Sequence, residues 1–359
     1  MEKPGALKKH GCRAVEFGLC GMRALALENE RIRVTVLLDK GADIIEFRDK
    51  ARDLDVLWGT PWGLRAPFSA MPSVYSSSGN YLDFYEGGWQ ELFPSIGDPA
   101  RVNGAELGVH GEACLLPWQW RLVEESGERV EVQLSARMLR TPFLLSKRMS
   151  LKKGQRALWI EERALNEGGV AMPLAWGHHP ALGGPFLDGE LFLDIPAQTG
   201  HTFPTSFHPD FPADTAFSWP RAGEGLDLSA MPALKGKWAG IAYAAGLREG
   251  WCALTNPGLG LGFGLAFDKA LFQNVWLWMV YEGLPHAPWY GRTRCLAMEP
   301  YSSVPDQLER AVERGTALTL PPGGEMETQL CAVLYETRGR VGRVDLSGGV
   351  WAAEGEKIC

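Results

Sequence analysis

A block of basic residues, an apolar run of membrane-spanning length, a Cys-X-X-Cys pair and a sustained helical period are all missing from this chain of 359 residues. With a net charge of −7 it lacks the Lys/Arg footprint that a phosphate backbone requires, so nucleic acid is not an expected partner. Residues 1–12 hold no apolar core of signal-peptide length, from which a cytoplasmic location away from membranes is expected. The seven cysteines (Cys12, Cys20, Cys114, Cys252, Cys295, Cys331 and Cys359) are odd in number and irregularly spaced, the pattern of free thiols in a reducing compartment. Neither a disulfide nor a zinc site is expected. Gly258, Gly260, Gly262 and Gly264 recur every second residue and so miss the GxGxxG of a dinucleotide site. His201 and His208 have no further ligands at metal spacing, and Ser76 to Ser78 lack the GxSxG setting of a nucleophile elbow. No cofactor is implied.

What the chain has in quantity is strict alternation. Ile32, Val34 and Val36 alternate with Arg33 and Thr35, and Val130, Val132, Leu134, Ala136 and Met138 alternate with polar residues, as half-buried strands require. Leu158 to Ala164 is a weaker case. From Leu259 to Phe267 one face is bulky and the other nearly bare glycine, which lets another group approach closely. One short helix is expected, from Asp306 to Arg314. With 43 Gly and 24 Pro as punctuation and no βαβ rhythm, the pattern is all-β, a large antiparallel β-sandwich. No linker or repeat divides it, so residues 1–359 are expected to form one domain, with 338–359 either a loose tail or a last edge strand. Homodimer formation leaves no signature and stays open.

Four segments mix His, Glu, Trp and Tyr with Gly and Pro: 87–99, 107–113, 176–186 and 274–305. Such clusters suit loops and strand ends at a binding site. His179 precedes Pro180, which holds its backbone extended, and an imidazole titrates near neutrality and so suits proton transfer. His178 and His179 face opposite ways on a strand, so one of them reaches a given pocket. Glu299 precedes Pro300 among apolar residues, a setting that raises a carboxyl pKa toward that of a general base; an ion pair with Arg292 or Arg294 is the plainer reading. Of the 14 Trp, Trp89 and Trp278, with Tyr281, are expected to line a groove that holds a ring, with Gln90, Glu91 and Asn274 as polar partners. Arg48, Arg65, Arg101 and Arg292 are the groups that would meet an anionic ligand.

Taken in order, His110-Gly111, His179-Pro180, Glu299-Pro300 and Pro305-Asp306 resemble the motifs of the aldose 1-epimerase family and its galactose mutarotase-like superfamily, over roughly Ile32 to Leu334. The resemblance implies a galactose mutarotase-like supersandwich and interconversion of the α and β anomers of a small-molecule aldose by ring opening and reclosure, without metal or cofactor. It also implies roles: His179 as general acid, Glu299 as general base, His110 on substrate hydroxyls. Two departures bear on substrate. Ala181 and Leu182 stand where better-known members carry an aromatic pair, and an Asn-Arg pair before the first motif is missing, with Arg65 and Arg101 as candidates to replace it. The competing readings are a carbohydrate-binding or regulatory protein on the same fold, and a polysaccharide lyase or hydrolase. Hydrolysis calls for a second carboxylate, for which Glu91, Glu112 and Glu282 are the candidates.

Overall fold

The computed structural model describes residues 11–67, 79–304 and 307–359. Ser76 to Ser78, Pro305 and Asp306 lie outside them. Helix among the described residues is limited to Gly79–Leu82, Leu308–Glu313 and one 3-10 turn at Ala113–Leu115. The expected helix near the C-terminus is thus one turn and a half, ended by Gly315 at φ +68°.

Two large antiparallel sheets carry most of the rest, beside four two-stranded ones among the described residues. A 12-stranded sheet runs from the edge strand Arg13–Leu19 through Met22–Glu28, Ile32–Leu37, Ile44–Asp49, Trp89–Leu92, Gly177–Gly183, Arg294–Tyr301, Asn274–Tyr281, Trp238–Ala245 and Thr199–Thr202 to Ala216–Ser218, with Leu54–Asp55 paired to Ile44–Asp49 off this path. A nine-stranded sheet centres on Glu325–Tyr335, flanked by Ala157–Asn166 and Leu261–Phe267. The two pack face to face. Val34 and Phe47, Leu277 and Met298 from the first sheet meet Leu134, Leu145, Leu158, Phe263 and Leu330 from the second in one buried cluster. Each such side chain contributes roughly 1.5–3 kcal/mol by leaving water, and the period-2 alternation read from the sequence is the record of that burial.

The bare glycine face turns away from this core. A Cβ on Gly262 would overlap the Tyr335 ring, and one on Gly264 would lie 3.1 Å from Val344. Those glycines therefore admit a neighbouring tyrosine and the C-terminal hairpin. That hairpin, Val341–Val344 with Val350–Ala352, is formed by the segment for which the sequence left tail or strand open, and it buries Val341, Val344 and Val350 over Trp251, Val333 and Tyr335.

Candidate active site

The strand Gly177–Gly183 lies between Trp89–Leu92 and Arg294–Tyr301 near the middle of the large sheet. Pro180 and Pro300 keep the residues before them extended. The register Gly177↔Tyr301 and Ala181↔Ala297 then sets His179 directly across from Glu299, while Glu299 pairs with Trp276 on its other side. Directly opposed residues share a face with Cβ atoms about 4.5–5.5 Å apart. Here the His179 Nε2 and Glu299 Oε1 atoms come to 3.5 Å.

That face is the outer one. Leu296 and Met298 enter the core between the sheets, whereas Ala181, Cys295 and Ala297 join Trp58, Tyr81, Tyr85, Trp278 and Trp289 in a second cluster. Around the pair is a cavity of about 480 Å³, within the usual span of small-molecule sites. The Trp278 ring stands 5.7 Å from that of His179 and 5.1 Å from that of Trp289. Ala181 and Ala297, each two residues from a member of the pair, keep the floor beside it low. Aromatic surface comes instead from Trp278 and from loop residues Tyr85 and Trp289.

Burial governs the protons. It pushes Glu299 up to about 8, against the opposing effect of the Tyr301 hydroxyl that donates to Oε2. It pushes His179 down to about 4. At pH 7 these shifts favour a protonated Glu299 beside a neutral His179. The Tyr85 hydroxyl meets His179 Nδ1 at 3.4 Å. His110, whose ring centroid is 5.5 Å from that of His179, accepts the Gly97 N–H at Nδ1 and stays neutral because burial lowers its pKa, so its Nε2–H is the remaining donor. His110 holds φ +64°, unusual for a side-chain-bearing residue and a local cost borne at this site.

Four of the residues selected from sequence line the cavity: His179, Glu299, His110 and Trp278. The others are placed elsewhere, for physical reasons. His178 points between the sheets, where its Nε2 is 3.0 Å from Glu162 and its Nδ1 accepts the Trp89 indole N–H. Trp89 is thus a core residue, packed on Phe263. Glu91, on the same side, pairs with buried Lys147 at 3.1 Å and accepts the Trp176 N–H. Gln90 shares the outer face with His179 but is fully buried and bonded to Gly87. Tyr281 points inward and stacks on Trp238, Asn274 lies at a strand start off the cavity, and Arg292 closes a turn on Trp289. Arg65 rests on Trp62 and Arg101 pairs with Glu106, so neither fills the place of the missing Asn-Arg pair. Of the carboxylates considered for hydrolysis, Glu112 caps the N–H groups of Leu139 to Thr141 and Glu282 pairs with Lys237. Tyr81, Tyr85, Trp289 and Tyr301 were not selected from sequence. Tyr301, two residues from Glu299 on one strand, left a signal there through shared parity, and Trp289 lies in the 274–305 segment.

Gly177 supports the pair indirectly. A Cβ there would lie 2.6 Å from Tyr301 Cε1 and 3.1 Å from Ile96 Cγ2, so Gly177→Ala displaces the tyrosine that donates to Glu299. The expected result is a Glu299 pKa higher still, because the Tyr301 hydroxyl is what opposes the effect of burial, read by NMR titration of the Glu299 carboxyl carbon in a protein that still folds. An unchanged titration would show that Tyr301 does not hold the Glu299 carboxylate.

A family model described as "Domain of unknown function (DUF4432)" matches residues 20–333. The chain belongs to the DUF4432 family. No curated protein matches this DUF4432 chain in sequence. Solved structures do match it in fold. A galactose mutarotase-like protein from Clostridium acetobutylicum has a TM-score of 0.65 at 11% identity, over 91% of this chain and 99% of that one. A galactose mutarotase related enzyme from Lactobacillus acidophilus has 0.54 at 18%, over 90% and 98%. Slr1438 from Synechocystis has 0.60 at 18%, over 92% and 98%. At these identities the likeness establishes architecture, and the DUF4432 chain has the galactose mutarotase-like fold. Among its described residues no group of three His, Cys, Asp or Glu side chains is arranged to hold a metal ion, and no helix is long and apolar enough to cross a membrane.

Proposed function

We propose that the protein is an aldose 1-epimerase, which interconverts sugar anomers by general acid–base catalysis at His179 and Glu299. The observation that carries this reading is the cross-strand pair, 3.5 Å apart, buried and set in an aromatic cavity. Ring opening moves two protons: the anomeric hydroxyl loses one while the ring oxygen gains one, as the C1–O5 bond breaks. A pair with one proton between its members meets both demands. Transfer of the pair's proton from Glu299 to His179, 3.5 Å away, gives the working form, in which Glu299 is the carboxylate that accepts the hydroxyl proton, held by the Tyr301 hydroxyl, and His179 gives its proton to the ring oxygen. Rotation about C1–C2 of the aldehyde and reversal of the transfers yield the other anomer. Trp278 and Trp289 offer flat faces for the apolar side of a pyranose, and His110 offers a donor for a hydroxyl.

The pH dependence tests this directly. Below about 4 His179 gains a second proton for the pair and no base remains; above about 8 Glu299 loses the only one and no acid remains. Enzyme-dependent anomer exchange is therefore expected to follow a bell, flat between those limbs and falling outside them. A rate that climbs through pH 9 without a break would refute proton transfer by the pair.

A further inference from the structure

A neutral imidazole carries its proton on one of two nitrogens, and for His179 the choice decides whether it can take a second proton from Glu299. Glu299 Oε2 accepts from the Tyr301 hydroxyl, which leaves Oε1 to carry the carboxyl proton, 3.5 Å from His179 Nε2. To receive it, Nε2 has to be bare and the ring proton has to lie on Nδ1. The Tyr85 hydroxyl stands 3.4 Å from Nδ1, and among the described residues no other side chain is bonded to that atom. The backbone carbonyl of His179 is the other group that favours the charged ring.

Tyr85 comes from a loop, yet its place is fixed on both sides of the chain. Its carbonyl accepts the Trp62 indole N–H at 2.9 Å, and the next residue, Glu86, pairs with buried Lys40 at 2.8 Å while its carbonyl accepts the Thr60 N–H at 2.9 Å. The ring stacks on Tyr81 at 4.9 Å and packs against Trp58 and Trp289. Burial pushes the phenol pKa well up, so Tyr85 stays an uncharged hydroxyl with lone pairs to offer. The other ionisable groups at the His179 ring are Glu299 and His110, with Cys295 beside Tyr85, and burial keeps His110 and Cys295 neutral.

We infer that Tyr85 is a positioning residue for the pair: its oxygen accepts the Nδ1–H of His179, selects the tautomer whose Nε2 receives the Glu299 proton, and then stabilises the imidazolium that results. In that step the Oε1–H bond breaks, the Nε2–H bond forms, and Nδ1–H and the Tyr85 O–H stay where they are. In the opposite tautomer both facing atoms carry protons and the transfer is blocked. The kinetic consequence rests on the epimerase reading, whereas the tautomer does not.

Tyr85→Phe removes the hydroxyl and keeps the ring. The test compares it with the intact protein at pH 7, both labelled with 15N at histidine, with the His179 resonances assigned by their loss in His179→Asn. The expected result is Nδ1–H in the intact protein and a shift toward Nε2–H in the variant. The kcat for anomer exchange of D-glucose or D-galactose should fall about ten- to a hundredfold, the worth of one hydrogen bond to a charged group. Nε2–H in the intact protein, or one tautomer common to both proteins, overturns the assignment, and so does a shifted tautomer with unchanged kcat. A shifted tautomer in a protein that accelerates neither sugar leaves the placement of Tyr85 standing and overturns the epimerase reading instead.

Discussion

His179→Asn and Glu299→Gln are each expected to lower kcat for anomer exchange by about a hundred- to ten-thousandfold, the usual worth of a positioned acid or base. Both substitutions keep the approximate shape of the side chain, and the cross-strand register that places it is made by the backbone. Sugar binding, read from quenching of tryptophan fluorescence, is expected to survive, because Trp278 and Trp289 are untouched. The double variant should be little slower than the worse single one, since the two groups share one proton and act as a unit. His178→Asn supplies the contrast. That residue faces Glu162 and Trp89 between the sheets, so its loss is expected to lower the denaturation midpoint while leaving the shape of the pH–rate bell intact. A variant of His178 that abolished exchange in a folded protein, with His179→Asn active, would reverse the assignment.

Lys40→Met is expected to cost about 3–5 kcal/mol of stability, because it leaves buried carboxylates without a counter-charge. Lys40 is fully buried, with its Nζ 2.6 Å from Asp43 and 2.8 Å from Glu86. Glu86 also approaches the Gln90 amide at 3.4 Å, and Gln90 lies beside His179 in the sheet, so the ion cluster supports the strand that carries the site. Combining Lys40→Met with Asp43→Asn and Glu86→Gln removes the stranded charges and is expected to restore much of the loss. Urea unfolding monitored by tryptophan emission reads both effects. A loss below about 1 kcal/mol for Lys40→Met alone would show that the cluster neutralises itself by taking up protons.

The difference between what could and could not be read in the sequence follows from the range of each interaction. Alternation at Ile32–Val36 and Val130–Met138 is a local consequence of pleating, so the all-β architecture was legible. His179 and Glu299 could be singled out as candidates because a following proline marks each, and because their order with His110 resembles a known motif set. Trp89 and Tyr281 were misplaced because alternation says which residues share a face but not which face meets the other sheet. The same ambiguity hid the role of Glu91, whose partner Lys147 is 56 residues away and on the opposite sheet. Tyr85 and Trp289 come from loops, where no period links a residue to the site it will join. The glycines of Leu261–Phe267 carried a true signal of close approach, but what approaches is Tyr335, a contact set by strand pairing over a long separation.

The most direct measurement is anomer exchange of a neutral aldose at equilibrium, followed by magnetisation transfer between the α and β H1 resonances, with the intact protein and with Glu299→Gln at equal concentration. Acceleration by the intact protein far above the spontaneous rate, with near-background exchange for Glu299→Gln despite unchanged sugar binding, is the predicted result. Sugar binding without acceleration, or equal acceleration by both proteins, would contradict the account: the first would make the protein a binder on a mutarotase-like fold, and the second would place the chemistry outside the His179–Glu299 pair.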